Sequence, residues 1–250
     1  MRLLTQQRQT KSDMAEQTER RDSLPGCNYA IWQDAQEFCF TTDAVFLAAF
    51  AKLVRNARVL ELGCGTGAIS MLLAARGAGS VVGVDTNRHV LELLRRSIAE
   101  NQLADRVSCI EADVRLIKQH CSSEAFDLVV ANPPYRNSGK VRQVAAAACH
   151  EVNADLEEFF AAAAFCVKYR GRFAVVQLPE RFAECMELAA KYKLQPKRLQ
   201  WVHADINKPA WIFLLEMVKG GSYGLEVLPP LIMYDADGRH SQQTLKYYGM

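Results

Sequence analysis

From Arg58 onward two kinds of apolar text alternate, and that alternation restricts the possible fold more than any other feature. Short β-branched runs, RVLELG (58–63), SVVGVD (80–85), RVSCIEAD (106–113), FDLVVANPP (126–134) and GRFAVVQL (171–178), are separated by stretches with helical spacing. The clearest of these, NRHVLELLRRSIAENQL (87–103), puts Val90, Leu91, Leu94 and Ile98 on one face. Gly77 closes the helix expected over 66–77, and Pro179 stands near the start of another over 179–193. A further helix is expected over 155–169. Strand–helix–strand repeats pair their strands in parallel, with helices on the sheet faces. The last two runs, KRLQWVHA (197–204) and AWIFLLEMVK (210–219), have only DINKP between them. So short a connection pairs them antiparallel. The expected fold is α/β: a doubly wound sheet of seven strands, mostly parallel, with an antiparallel edge. Ahead of it, TTDAVFLAAFAKLV predicts a helix capped by Thr42 or Asp43.

A chain of 250 residues, half of them hydrophobic, is long enough for one sizeable core. No run of 18 apolar residues marks a membrane span, and the N-terminus lacks the apolar core of a secretory signal. Eight scattered cysteines without a C-x-x-C pair suit reduced thiols, and a cytoplasmic location is expected. No metal is expected: Cys149 and His150 have no second ligand pair at metal-site spacing. A net charge of +2 is no strong nucleic-acid footprint, although local basic clusters can still bind phosphates. Residues 1–18, polar and rich in Gln and Thr, are expected to lack fixed structure. Residues 19–250 form one expected domain, with a leading segment (19–57) over the ligand site and a core over 58–250.

Two motifs fall at strand ends, where ligands bind in such sheets. The first is ELGCGTGA. Gly63, Gly65 and Gly67 permit backbone geometry closed to other residues and let a ligand approach the main chain. Asp85, at the end of the next strand, stands where a carboxylate meets ribose hydroxyls. Gly63, Gly65 and Ala68 also satisfy the dinucleotide fingerprint, so an NAD enzyme competes at this point. Against it, Glu61, Asp85 and Asp113 end three successive strands. A row of acids suits a cationic adenosyl ligand better than a pyrophosphate.

The second motif is Asn132-Pro133-Pro134-Tyr135. Pro133 holds Asn132 extended, and Pro134 does the same to Pro133 while removing a donor. The segment therefore presents acceptors, the Asn132 side-chain oxygen and the Pro133 carbonyl, to a planar NH2 group. Tyr135 offers a ring on which a flat base can stack. Arg136, Lys140 and Arg142 follow directly and could grip phosphates beside a flipped base; a solvated loop is the equal alternative.

ELGCGTG, GVD, EAD and NPPY, in this order and spacing, resemble the S-adenosylmethionine-dependent amino-methyltransferases. The resemblance implies a Rossmann-like methyltransferase sheet and S-adenosylmethionine as cofactor. It implies that Asp43, Glu61, Gly63, Gly65, Thr66, Gly67, Asp85 and Asp113 hold the cofactor and that Asn132 to Tyr135 receive the target amine. The flanks IWQDAQEFCFTTDAVFLAAFA (31–51), CHE (149–151), LQPKRLQWVH (194–203), KPA (208–210), LLEMVKGG (214–221) and LPPLIMYD (228–235) resemble the bacterial valine-tRNA adenine-N6 methyltransferase family. That family has Arg where Cys149 stands. The implied substrate is adenine N6 in the anticodon loop of a valine tRNA. The alternatives are a release-factor glutamine, whose enzymes carry a helical domain before the glycine loop, an rRNA base amine, and a silent RNA- or adenosyl-binding protein.

Overall fold

The computed structural model describes residues 18–37, 39–135 and 154–249. Seven long strands, β3 (Arg58–Leu62), β4 (Ser80–Asp85), β5 (Val107–Glu111), β6 (Phe126–Ala131), β7 (Val167–Gln177), β8 (Leu194–His203) and β9 (Ala210–Lys219), form one sheet in the order 8-9-7-6-3-4-5. β9 is antiparallel to both of its neighbours, and β3 to β7 are mutually parallel. Two two-residue strands, β10 (Glu226–Val227) and β11 (Leu231–Ile232), lie along β8. After β5 the chain crosses back over β3 to place β6 on its other side. The C-terminal ends of β3 and β6 therefore straddle the topological switch point, where a ligand crevice opens.

Burial follows the two-residue period of the strands. Val59, Leu128, Val130, Ala174 and Val176 pack into the core on one face. Leu60, Leu62, Val129, Ala131, Phe173 and Val175 pack into the core on the other. Helices α1 (Thr42–Phe50), α2 (Ala68–Ala75) and α3 (Arg88–Glu100) cover the first face. Helices α4 (Leu156–Cys166) and α5 (Phe182–Lys191) cover the second. The short C-terminal helix α6 (Gln242–Tyr247) seals α1, with the rings of Tyr247 and Tyr248 centred 5.7 and 5.9 Å from that of Phe46.

Several local expectations change. α1 begins one residue earlier than a Thr42 cap allows: Thr41 is the N-cap residue and makes no capping bond, its hydroxyl donating to the Asp43 carboxylate instead. α4 stops at Cys166, and β7 starts at Val167 without a glycine or proline to mark the junction. β8 starts at Leu194, with a register shift at Pro196, which has no N–H to give its neighbour. The leading segment contains a hairpin, β1 (Glu19–Ser23) with β2 (Ala30–Asp34), that docks on α3. Asn101 and Ser97 of that helix bond the β2 main chain at Ala30 and Trp32, and Arg96 lies 3.3 Å over the Trp32 ring. Among the described residues no helix is long and apolar enough to cross a membrane, no cluster of His, Cys, Asp and Glu could hold a metal, and the seven cysteines are free thiols.

The C-terminal end of α1 is held by charge. Arg76 donates to the carbonyls of Ala48 and Ala51, and Arg198 to that of Phe50. Fully buried Glu216 accepts from Lys52 N at 2.7 Å and pairs with Arg172 at 2.7 Å. Glu216→Ala leaves those groups unpaired. It should cost on the order of 3 kcal/mol, the low end for a broken buried pair because Arg172 stays partly hydrated. Urea unfolding checks this; an unchanged midpoint would contradict it.

Candidate active site

The glycine loop hooks the end of β3 onto β4: Gly63 N and Cys64 N both donate to the Val84 carbonyl, at 2.8 and 3.0 Å. Gly67, at φ 81°, opens α2, and a Cβ there would lie 2.2 Å from Leu94. Only glycine lets α2 and α3 approach this closely. Gly65, at φ 50°, has no atom within 4 Å on its Cβ side, so its main chain is open to an incoming group. The loop is braced from below by Asp85, whose carboxylate accepts from Gly65 N at 2.8 Å and Asn87 N at 2.9 Å.

Gly63, Gly65, Asp85 and Asn87 line a cavity shared with Glu61, Cys64, Thr66, Ile69, Val90 and Asn132. The leading segment closes it with Glu37, Phe40 and Ala44, and Asn87 Nδ2 donates to Glu37 at 3.1 Å. Glu61 is buried and accepts from Ser70 N at 2.8 Å and from Ser70 Oγ at 2.5 Å. Burial pushes its carboxyl up to about 8, and the nearby Asp85 charge adds to the rise. A carboxyl pair, an open main chain and apolar walls fit S-adenosylmethionine, which carries a ribose, a cationic amino acid and a flat base. The same set lacks the acid-free helix N-terminus that a pyrophosphate favours.

Of the residues expected to hold the cofactor, Glu61, Gly63, Gly65, Thr66 and Asp85 line this cavity, and Gly67 shapes it through helix packing. Two stand elsewhere. Asp113 caps the turn after β5 and is tied to Arg115 through both carboxylate oxygens, at 2.9 Å to Nε. That guanidinium holds its carboxyl below the usual range. The row of three acids is therefore a pair at the cavity plus one surface ion pair. Asp43 is 1 % exposed and outside the cavity lining; it bonds Asn132 and Tyr135 instead.

Asn132 extends from β6 across the switch point from the glycine loop, and its side chain reaches the cavity. Its Nδ2 donates to Asp43 Oδ2 at 3.1 Å. Its Oδ1 makes no hydrogen bond among the described residues. The Tyr135 hydroxyl donates to the same Asp43 oxygen, and its ring packs on the core under α1. Burial and the Asp43 charge push the Tyr135 phenol well up, so it stays a hydroxyl. Arg136, Lys140, Arg142 and Cys149 lie outside the described residues.

Sequence reasoning missed Glu37, Phe40 and Asn87, which line the cavity, and also Gln177. Gln177 ends β7 beside the strand that carries Asn132; it is fully buried, and its Nε2 has no partner among the described residues. Trp211 Nε1, at the start of antiparallel β9 and so on the same sheet edge, is likewise unpaired. Two buried donors without acceptors are costly unless a ligand or water supplies them.

The raised carboxyl of Glu61 has a consequence for stability. Folded Glu61 keeps a proton that the unfolded chain releases near 4.5, so its contribution is full below about pH 4.5 and is lost as pH rises to about 8. Glu61→Gln, which keeps an acceptor for Ser70, should flatten the fall of the melting temperature across that window. An equal slope in both proteins would contradict the buried, protonated acid.

Comparison with known proteins bears on the family and the fold. The family described as a methyltransferase domain matches residues 53–213. A tRNA1(Val) (adenine(37)-N6)-methyltransferase of Bacteroides fragilis (strain YCH46) is 27% identical over 192 residues, 72% of this chain and 76% of that one. The protein of the same name from Shewanella sp. (strain MR-4) is 27% identical over 217 residues, 82% and 88% of the two chains. A predicted O-methyltransferase from Agrobacterium tumefaciens superposes with a TM-score of 0.69 over 82% of this chain and 95% of that one, at 23% identity, a likeness of fold. The chain belongs to the methyltransferase-domain family and is an S-adenosylmethionine-dependent methyltransferase.

Proposed function

We propose that the protein methylates an exocyclic amine of an RNA base, adenine N6 in the anticodon loop of a valine tRNA. The observation that carries the reaction class is the unpaired Oδ1 of Asn132, set at a cavity that also contains the glycine loop. An exocyclic amine is a poor nucleophile because its lone pair is delocalised into the ring. Two fixed acceptors, Asn132 Oδ1 and the Pro133 carbonyl, would take both N–H bonds and favour a pyramidal nitrogen with a localised lone pair. S-adenosylmethionine, held by the glycine loop, Glu61 and Asp85, supplies a methyl group on a positively charged sulfur. The chain's own task is then orientation, which can contribute roughly 7–11 kcal/mol. Aimed acceptors add electrostatic stabilisation as positive charge builds on nitrogen. No nucleophilic side chain and no metal are called for.

The substrate reading is supported by the names of the relatives, which act on adenine 37 of a valine tRNA. A loop base can be splayed out of its stack, whereas an A-form helix hides its base edges. Tyr135, with its hydroxyl tethered, is a preset ring for such a base. Arg136, Lys140 and Arg142 would hold the flanking phosphates, and work on tRNA would place the enzyme in the cytoplasm.

Tritiated-methyl transfer to total tRNA, rRNA and release factors, followed by nucleoside analysis, tests the assignment. The expected product is N6-methyladenosine in tRNA; label in glutamine or in rRNA alone would overturn it. Asn132→Ala should lower turnover by about 100-fold or more, with cofactor affinity retained. Wild-type turnover in that variant would sink the amine clamp.

A further inference from the structure

We infer that Asp43, on the leading helix and far from Asn132 in sequence, is the residue that decides which end of the Asn132 amide faces the substrate. The inference rests on the reading of Asn132 as an amine acceptor. A carboxamide has one accepting and one donating end, of nearly equal shape, and only its hydrogen-bond partners decide between the two orientations. If Nδ2 faced the cavity, it would oppose the N–H bonds of a target amine. The activity of Asn132 therefore requires something that forbids the flip.

Asp43 is built for that purpose. Its carboxylate accepts at both oxygens: Oδ1 from the Thr41 hydroxyl and from Ala44 N at 2.9 Å, Oδ2 from Asn132 Nδ2 at 3.1 Å and from the Tyr135 hydroxyl. An ionised carboxylate has no proton to donate. A flipped Asn132 would set its Oδ1 against that charge, in a site 1 % exposed to water. The Oδ1 of Asn132 is thus driven to the cavity side. The same oxygen tethers Tyr135, so one carboxylate sets both the acceptor and the stacking ring.

The position of Asp43 is itself secured. Its own Oδ1 ties it to the first turn of α1 through Ala44 N. The far end of α1 is locked by Arg76, Arg198 and Glu216. Asp43 does not itself line the cofactor cavity, so it acts through Asn132 and Tyr135 as a positioning residue.

The test exploits the asymmetry of the amide. In Asp43→Asn, the new NH2 must face one of the two donor sets. Ala44 N cannot accept, so the stable choice points the NH2 at Asn132, which then flips and shows Nδ2 to the cavity. Turnover on tRNA should drop by about 100-fold or more, with cofactor affinity unchanged. In Asn132→Asp alone, two carboxylates meet and turnover should also collapse. In the swapped pair, Asp43→Asn with Asn132→Asp, Asn at 43 donates to one oxygen of Asp at 132 and leaves the other as an acceptor for the amine. The swap should recover turnover to within about tenfold of the parent protein, a coupling that independent sites do not show.

Wild-type turnover in Asp43→Asn overturns the inference. So does a swapped pair that melts and binds cofactor like the parent yet turns over no faster than Asp43→Asn; Asp43 would then merely hold α1 together. If Asp43→Asn does not fold, the swapped pair, which keeps one carboxylate and one carboxamide, decides alone. Failure of the parent reading is separately visible, because Asn132→Ala would then keep full turnover.

Discussion

Helix α1 is fixed at both ends by charge, and the geometry of the site depends on it. At its C-terminal end Arg76 and Arg198 cap three carbonyls, and buried Glu216 takes the next free N–H. Cations at a helix C-terminus also oppose its dipole. At the N-terminal end Asp43 reaches the segment that follows β6. A helix buried on nearly all sides, between the sheet, α2 and the C-terminal tyrosines, leaves this link little freedom to shift. Asn132 and Tyr135 are thereby tied to α1 rather than to their own loop alone.

This arrangement divides labour across the switch point. β3 and β4 present main-chain groups, the buried acid Glu61 and the carboxylate of Asp85 to the cavity. β6 presents a rigid turn whose acceptor end is set from α1. The leading segment contributes twice, through Glu37 and Phe40 at the cavity and through Asp43 behind Asn132. It also carries the β1–β2 hairpin that grips α3, the helix whose Leu94 packs under Gly67. Cofactor loop and target site therefore share a support that precedes both in the sequence.

The sheet was legible because β-branched runs buried on both faces have no other stable arrangement, and the glycines and NPPY stand where such runs end. Asn132 and the cavity residues Glu61 and Asp85 followed from those strand ends, and Thr66 from the family resemblance. Asp113 stands outside the cavity lining, paired with Arg115; in sequence a strand-end acid looks the same whether it faces a ligand or such a neighbour. Asp43 was seen as a cofactor residue because its partners lie about 90 positions away, a distance that no local pattern encodes. Glu37 and Phe40 fall in the family-like flank 31–51 and Gln177 in an expected strand, but their place beside the site is defined only by tertiary approach. The α4–β7 junction was missed because Cys166 and Val167 fit either state, and the β7 pairing with β6 decides.

The central claim is that Asn132 offers its oxygen to a planar amine while Asp43 holds the other end. A crystal structure with S-adenosylhomocysteine and the anticodon stem-loop of valine tRNA tests it most directly. The N6 nitrogen of one flipped adenine should lie within about 3.2 Å of Asn132 Oδ1, with Nδ2 still on Asp43. An amine bound elsewhere, or an Asn132 amide turned away from the base, would contradict it.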